Sequence, residues 1–237
     1  MSNSEINKQA ITKNRKTIFQ IESHVMANKA LAYQSRSMIE ENRLMILSNY
    51  SAAFMGNRQL ANANTDEIFN NRSEILNAMD VEGEVQENYK NAQTNKSSLD
   101  FLHHRSELNS SVLAVSEKLA EINRQLVEVN SEIMSANEKI VAFNSAQITA
   151  NSELLTGSLS PSNATPESNA EIIAANSKAM EELLVNVSKN KDKLNALIET
   201  SASNNEALSK NKEQINARRQ SILKNREGIE ANKAKLS

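Results

Sequence analysis

"LAEINRQLVEVNSEIMSANEKIVAFNSAQITAN", residues 119–151, places Asn123, Asn130, Asn137, Asn144 and Asn151 seven residues apart. Seven residues is close to two turns of an α-helix, so the five side chains share one face. With the asparagines at position d of a heptad, position a carries Val127, Met134, Val141, Ile148 and Leu155. The repeated phrase is therefore an apolar residue followed three places later by asparagine, φxxN. A second apolar column, Leu119, Leu126, Ile133 and Ile140, widens the face to suit a helix packed between two neighbours.

The same phrase recurs on both sides of this stretch. Towards the C-terminus, Asn169, Asn176, Asn204, Asn211, Asn225 and Asn232 occupy d, and Ile173, Met180, Val187, Leu208, Ile215, Ile222 and Ile229 occupy a. Towards the N-terminus, Asn7, Asn14, Asn28, Asn42 and Asn49 follow Ile11, Ile18, Val25, Ile39 and Ile46 in the same phase. A period of seven held over many heptads predicts a left-handed coiled coil, and its threefold recurrence predicts one rod built of three similar strands.

One interruption breaks the count. After Asn49 the next asparagine in phase is Asn57, eight residues on, across a stretch that holds Tyr50, Phe54 and Gly56. The extra residue has to be absorbed by local unwinding or a π-type bulge, and such bulges are frequent at functional sites.

Turn chemistry marks two boundaries. "AMDVEGEV" (78–85) holds Gly83, and "TGSLSPSNATPES" (156–168) holds Gly157 and both prolines of the chain. There Thr165, Pro166 and Glu167 form a helix start: an N-cap, a first-turn proline and an acid matching the helix dipole. The expected organisation is a single rod-like domain over 1–237, with helices at 4–79, 84–156 and 166–235.

Composition agrees with long helices. Of 237 residues only 3% are aromatic, with 4 Gly, 2 Pro and no Trp, too little bulky material for a broad core or a sheet. The absence of Cys excludes disulfides, thiolate catalysis and Cys-ligated zinc. A formal net charge of -2 gives no basic field for nucleic acid, and the run "RRQSILKNR" (218–226) has no interleaved aromatics. No apolar run approaches the roughly 20 residues of a membrane span, and the N-terminus lacks the apolar core of a secretory signal. The chain reads as soluble and cytoplasmic.

Charge placement chooses the topology. Glu67, Glu74, Glu82 and Glu84 surround the first turn, whereas Arg218, Arg219, Lys224 and Lys233 lie near the end of the third helix, so an up-down-up fold brings opposite signs together. A parallel homotrimer of whole chains would instead stack each cluster on its copies. The expected fold is all-α: an elongated antiparallel three-helix bundle with an asparagine-rich heptad core. The φxxN phrase also resembles the asparagine core layers in the stalks of trimeric autotransporter adhesins. That resemblance is confined to the heptad phrase, and it implies layers able to hold an anion.

Few groups in the sequence could carry chemistry. Asp100 and His103 form a D-x-x-H pair, but they fall at b and e, away from the heptad face. No Gly-rich phosphate loop or HExxH occurs, and no cofactor or metal is expected. The expectation is a non-enzymatic structural or scaffolding protein whose partners are other proteins or further copies of itself. The alternative is a bundle that binds an anion, water or a small ligand along Asn123–Asn151 and its counterparts Asn169, Asn176, Asn204, Asn211, Asn225 and Asn232, or beside the heptad skip.

Overall fold

The computed structural model describes residues 2–156 and 161–236. All regular structure among the described residues is helical: α1 (Asn3–Tyr50), a π-helical segment (Ser51–Asn57), α2 (Arg58–Asn77), α3 (Glu84–Leu155), a 3-10 turn (Pro161–Asn163) and α4 (Pro166–Lys233). α1, the π-helical segment and α2 follow one another without a break, so the chain carries three long helical stretches. Gly157, expected at the second boundary, lies outside the described residues.

Local chemistry fixes the helix ends. Ser2 caps α1 reciprocally, its hydroxyl accepting from the Glu5 amide and its own amide donating to the Glu5 carboxylate, both at 3.3 Å. Thr165 caps α4 in the same manner: its hydroxyl accepts from the Ser168 amide at 3.1 Å, and its amide donates to the Ser168 hydroxyl at 3.0 Å. Pro166 at the first helical position gives up an amide that had no intrahelical partner.

The chain divides into two compact units, Met1–Thr65 with Asn163–Ala231 and Asp66–Ser162 with Asn232–Ser237. In the first unit α1 and α4 are parallel. Asparagines of α1 donate to backbone carbonyls of α4 always 159 residues away, from Asn7 to Pro166 through Asn49 to Leu208, and a constant difference requires both chains to run the same way. Beyond the π-helical segment the difference is 158, for Asn57 with Ile215 and Asn64 with Ile222. One inserted residue would turn every later side chain by about 100° on a helix of 3.6 residues per turn. The wider π turn takes up that residue and returns Asn57 to the same face.

In the second unit the end of α2 and the start of α3 form an antiparallel hairpin. Phe69 meets Phe101 edge to face at 5.0 Å, Arg72 pairs with Asp100 at 3.2 Å, and Asp66 pairs with Arg105. Arg72 and Arg105 also lie over the Phe69 and Phe101 rings. Lys90 donates to the carbonyls of Asn77 and Met79 at 3.0 and 3.2 Å, where a cation opposes the negative end of the α2 dipole. Glu67, Glu74 and Lys233 line one recess of this unit, acids of the first turn beside a base from the end of α4.

Candidate functional site

The site is the seam between α1 and α4. From α1 through the π-helical segment into α2 the d column turns inward: Asn14, Asn42, Asn49, Asn57 and Asn64 are buried, as are Ile21 and Ser35, and Asn7 and Asn28 are half-buried. The adjoining g column, Ala10, Thr17, Leu31, Met38 and Met45, is half-buried. On α4 the a column faces it, with Met180, Val187, Ser201 and Ile229 buried. Half-buried Ser177, Leu184, Ile198 and Asn205 of the e column stand beside them. The seam thus sets d and g of one helix against a and e of the other, and the apolar a column of α1, Ile11 to Ile46, stays exposed.

Each rung has one form. The Nδ2 of Asn7, Asn14, Asn28 and Asn42 donates to the carbonyls of Pro166, Ile173, Val187 and Ser201 at 2.9, 3.2, 2.8 and 2.7 Å. Asn49, Asn57 and Asn64 donate to Leu208, Ile215 and Ile222 at 2.9, 2.8 and 2.8 Å. The acceptors are the carbonyls of the α4 a column, and each has a second lone pair beyond the one its own helix uses. Where Ile21 interrupts the ladder, the α4 residue at the same offset is Met180, so apolar meets apolar.

The other end of each amide is less uniformly served. Ser177 donates to Asn14 Oδ1 at 2.9 Å, whereas Asn42 Oδ1 and Asn57 Oδ1 are buried with no hydrogen-bond partner. A made hydrogen bond contributes about 0.5–1.5 kcal/mol net, and an unmet buried group costs about 1–3 kcal/mol. Rungs with both ends paired therefore stabilise the seam, and the two half-paired rungs are close to neutral.

The heptad skip forms its own cluster. Tyr50 stacks on Phe54 with ring centroids 5.3 Å apart, and the Arg58 guanidinium lies 4.5 Å over the Phe54 ring. Arg58 Nε is buried without a hydrogen-bond partner. A Cβ on Gly56 would stand 3.4 Å from Arg219 Nη1, an ordinary contact with the end of a flexible side chain.

The asparagines singled out in the sequence lie elsewhere. Asn123, Asn130, Asn137, Asn144 and Asn151 on α3 are exposed, and so are Asn169, Asn176, Asn204, Asn211, Asn225 and Asn232 on α4. The reason differs between the helices. On α4 the seam runs along a and e, where Leu184 and Ile198 are half-buried, and this turns d to solvent. On α3 the hairpin contacts lie between Lys90 and Arg105, before the Asn123–Asn151 column begins, and every residue from Leu113 to Thr149 is exposed. The expectation that α3 packs between two neighbours is not met within its unit.

Asp100 and His103 do not converge. Asp100 is held by Arg72, and His103 Nδ1 lies 3.6 Å from Glu107 Oε1 on its own helix. Among the described residues no group of three or more His, Asp or Glu is arranged to hold a metal ion. No helix among them is long and apolar enough to cross a membrane. A recess of about 350 Å³ beside Phe69 and Phe101 has Ser73, Thr94, Ser97 and Ser98 in its lining, with Asp66 and Leu76. No family model, no curated protein and no solved structure matches this chain.

Proposed function

We propose that this is a non-enzymatic structural or scaffolding protein, a left-handed coiled coil of three helices running up, down and up, that serves as a spacer, filament component or docking surface. The observation that carries the reading is the ladder itself. Seven asparagines spaced along α1, the π-helical segment and the start of α2 direct their amides to the backbone of one other helix, so along this stretch the repeated heptad asparagine is committed to helix pairing. Polar residues at regular heptad positions fix register and partner more than they add stability.

A second reading has a specific observation in its favour. Asn57 Oδ1 and Arg58 Nε, an acceptor and a donor on adjacent residues, are both buried without partners at the π-helical segment. A small polar ligand or anion bound there would satisfy one or both. Thermal melts across halides, nitrate and small metabolites separate the two readings. A ligand at 100 times its Kd stabilises by about 2.7 kcal/mol, which for a chain of this length raises Tm by roughly 5–11 °C. A Tm indifferent to every additive is expected of a structural protein; a rise of that size with one of them would displace it.

A further inference from the structure

We propose that the outer half of α3, residues 119–155, associates in parallel and in register with α3 of further copies of this chain, through the same asparagine ladder that joins α1 to α4. The inference rests on the structural reading above and names its partner. The α1·α4 seam states what a φxxN helix takes as a neighbour: a parallel helix whose apolar a column offers its carbonyls to the amides. α3 carries that phrase in its least interrupted form, five asparagines from Asn123 to Asn151 without a substitution. Its g column, Leu126, Ile133, Ile140 and Leu154, is more apolar than the g column that α1 uses in its seam.

Within its unit this face is uncovered. The hairpin contacts end near Arg105, and every residue from Leu113 to Thr149 is exposed. Val127 and Ile148 are 68% and 69% exposed, whereas Val187 in the α1·α4 seam is 5% exposed. A contiguous apolar stripe of this length on a chain in water marks an association surface. The hairpin neighbour of α3 is antiparallel, and a parallel ladder needs a helix running the other way. A second α3 supplies that direction, the spacing and both halves of the contact.

Charge does not oppose this pairing. The g positions from Leu119 to Leu154 hold no ionisable residue, so Arg124 and Glu138 at e face uncharged neighbours across a parallel seam. Arg124 is further held on its own helix by Glu121 at 2.5 Å and by Glu128. The acids Glu128, Glu132 and Glu153 sit at b and f, on the side away from the seam. The like-charge stacking that disfavours a whole-chain homotrimer is therefore weak along this stretch. A contact of d/g on a/e is heterologous, so it closes only as a ring, and the smallest ring holds three chains.

Sedimentation equilibrium on the full chain tests the proposal. The expected mass is three times that of one chain or more at micromolar concentration. M134E/V141E should raise the concentration needed for association roughly a hundredfold or more, since it buries uncompensated charge in the seam. Helicity by circular dichroism should be unchanged, because both positions are exposed within one chain. The sequence has no cysteine, so N151C gives a unique cross-link: disulfide-linked pairs form in a parallel, in-register assembly and not in an antiparallel one centred on Asn137. A one-chain mass at every concentration, a simple dimer, an N151C chain that associates without linking, or association insensitive to M134E/V141E would each overturn the proposal. Failure here with melts still indifferent to additives leaves the structural reading standing with a different partner, whereas a responsive melt removes that reading whatever the mass.

Discussion

The inner face of α1 and the outer half of α3 are written in the same phrase and sit in opposite surroundings. On α1 the heptad asparagines are buried or half-buried, and each carbonyl they reach belongs to α4; on α3 the heptad asparagines face solvent. The contrast teaches that the heptad asparagine is not intrinsically a core residue. It becomes one where a parallel helix brings a backbone carbonyl within about 3 Å, because only then is desolvating the amide repaid.

Substitutions that break this contrast should do so unequally, and the largest effect is expected for charge. Val187→Asp places a carboxylate in the packed seam and should cost about 3–5 kcal/mol in urea unfolding. Val141→Asp, measured at a concentration where the chain is monomeric, should stay within about 0.5 kcal/mol. Equal losses at the two sites would mean that the α3 face is covered within one chain.

Asparagine itself ranks second. Asn49→Ala removes the 2.9 Å bond to the Leu208 carbonyl from a buried position and should cost about 1–2 kcal/mol. Asn137→Ala on α3 should be neutral or slightly stabilising in the monomer, since alanine is the better helix former at an exposed site. A smaller effect is expected for deleting Ala53. That change makes the spacing between Asn49 and Asn57 seven, turns the π-helical segment into ordinary helix and keeps every rung aligned, so unfolding free energy should change by less than about 1 kcal/mol. A loss of several kcal/mol would show that the Tyr50–Phe54–Arg58 cluster needs the wide turn.

The smallest effect lies on the outside of α3. The Arg124 guanidinium, and then the Gln125 amide, hold the Glu121 carboxyl below its usual range. A carboxylate whose pKa is depressed on folding contributes stability above its unfolded pKa and loses it as pH falls through the folded value. Helicity at low ionic strength should therefore fall slightly on acidification below the ordinary carboxylate range, and Glu121→Gln should flatten that part of the titration.

Much of this was legible in the sequence, for identifiable reasons. Thr165 and Pro166 announce the start of α4 because capping is local chemistry, independent of what packs later. The eight-residue gap from Asn49 to Asn57 announces a wide turn because helical phase is arithmetic. Which column faces which neighbour was not legible from the phrase, since φxxN reads alike in all three helices. The columns flanking d do not decide it either, since the e column of α4 carries Leu184 and Ile198 but also Lys191, Lys212 and Arg219. The exposure of α3 had no local signal, because it depends on which helices pack together and not on the phrase itself.

The rungs carry one last consequence. Their acceptors are the carbonyls of Pro166, Ile173, Val187, Ser201, Leu208, Ile215 and Ile222, five kinds of residue answering one kind of donor. α1 thus reads the main chain of α4 and is indifferent to the letter written at each acceptor. What the two helices must share is a count of seven, and the message between them is carried by spacing alone.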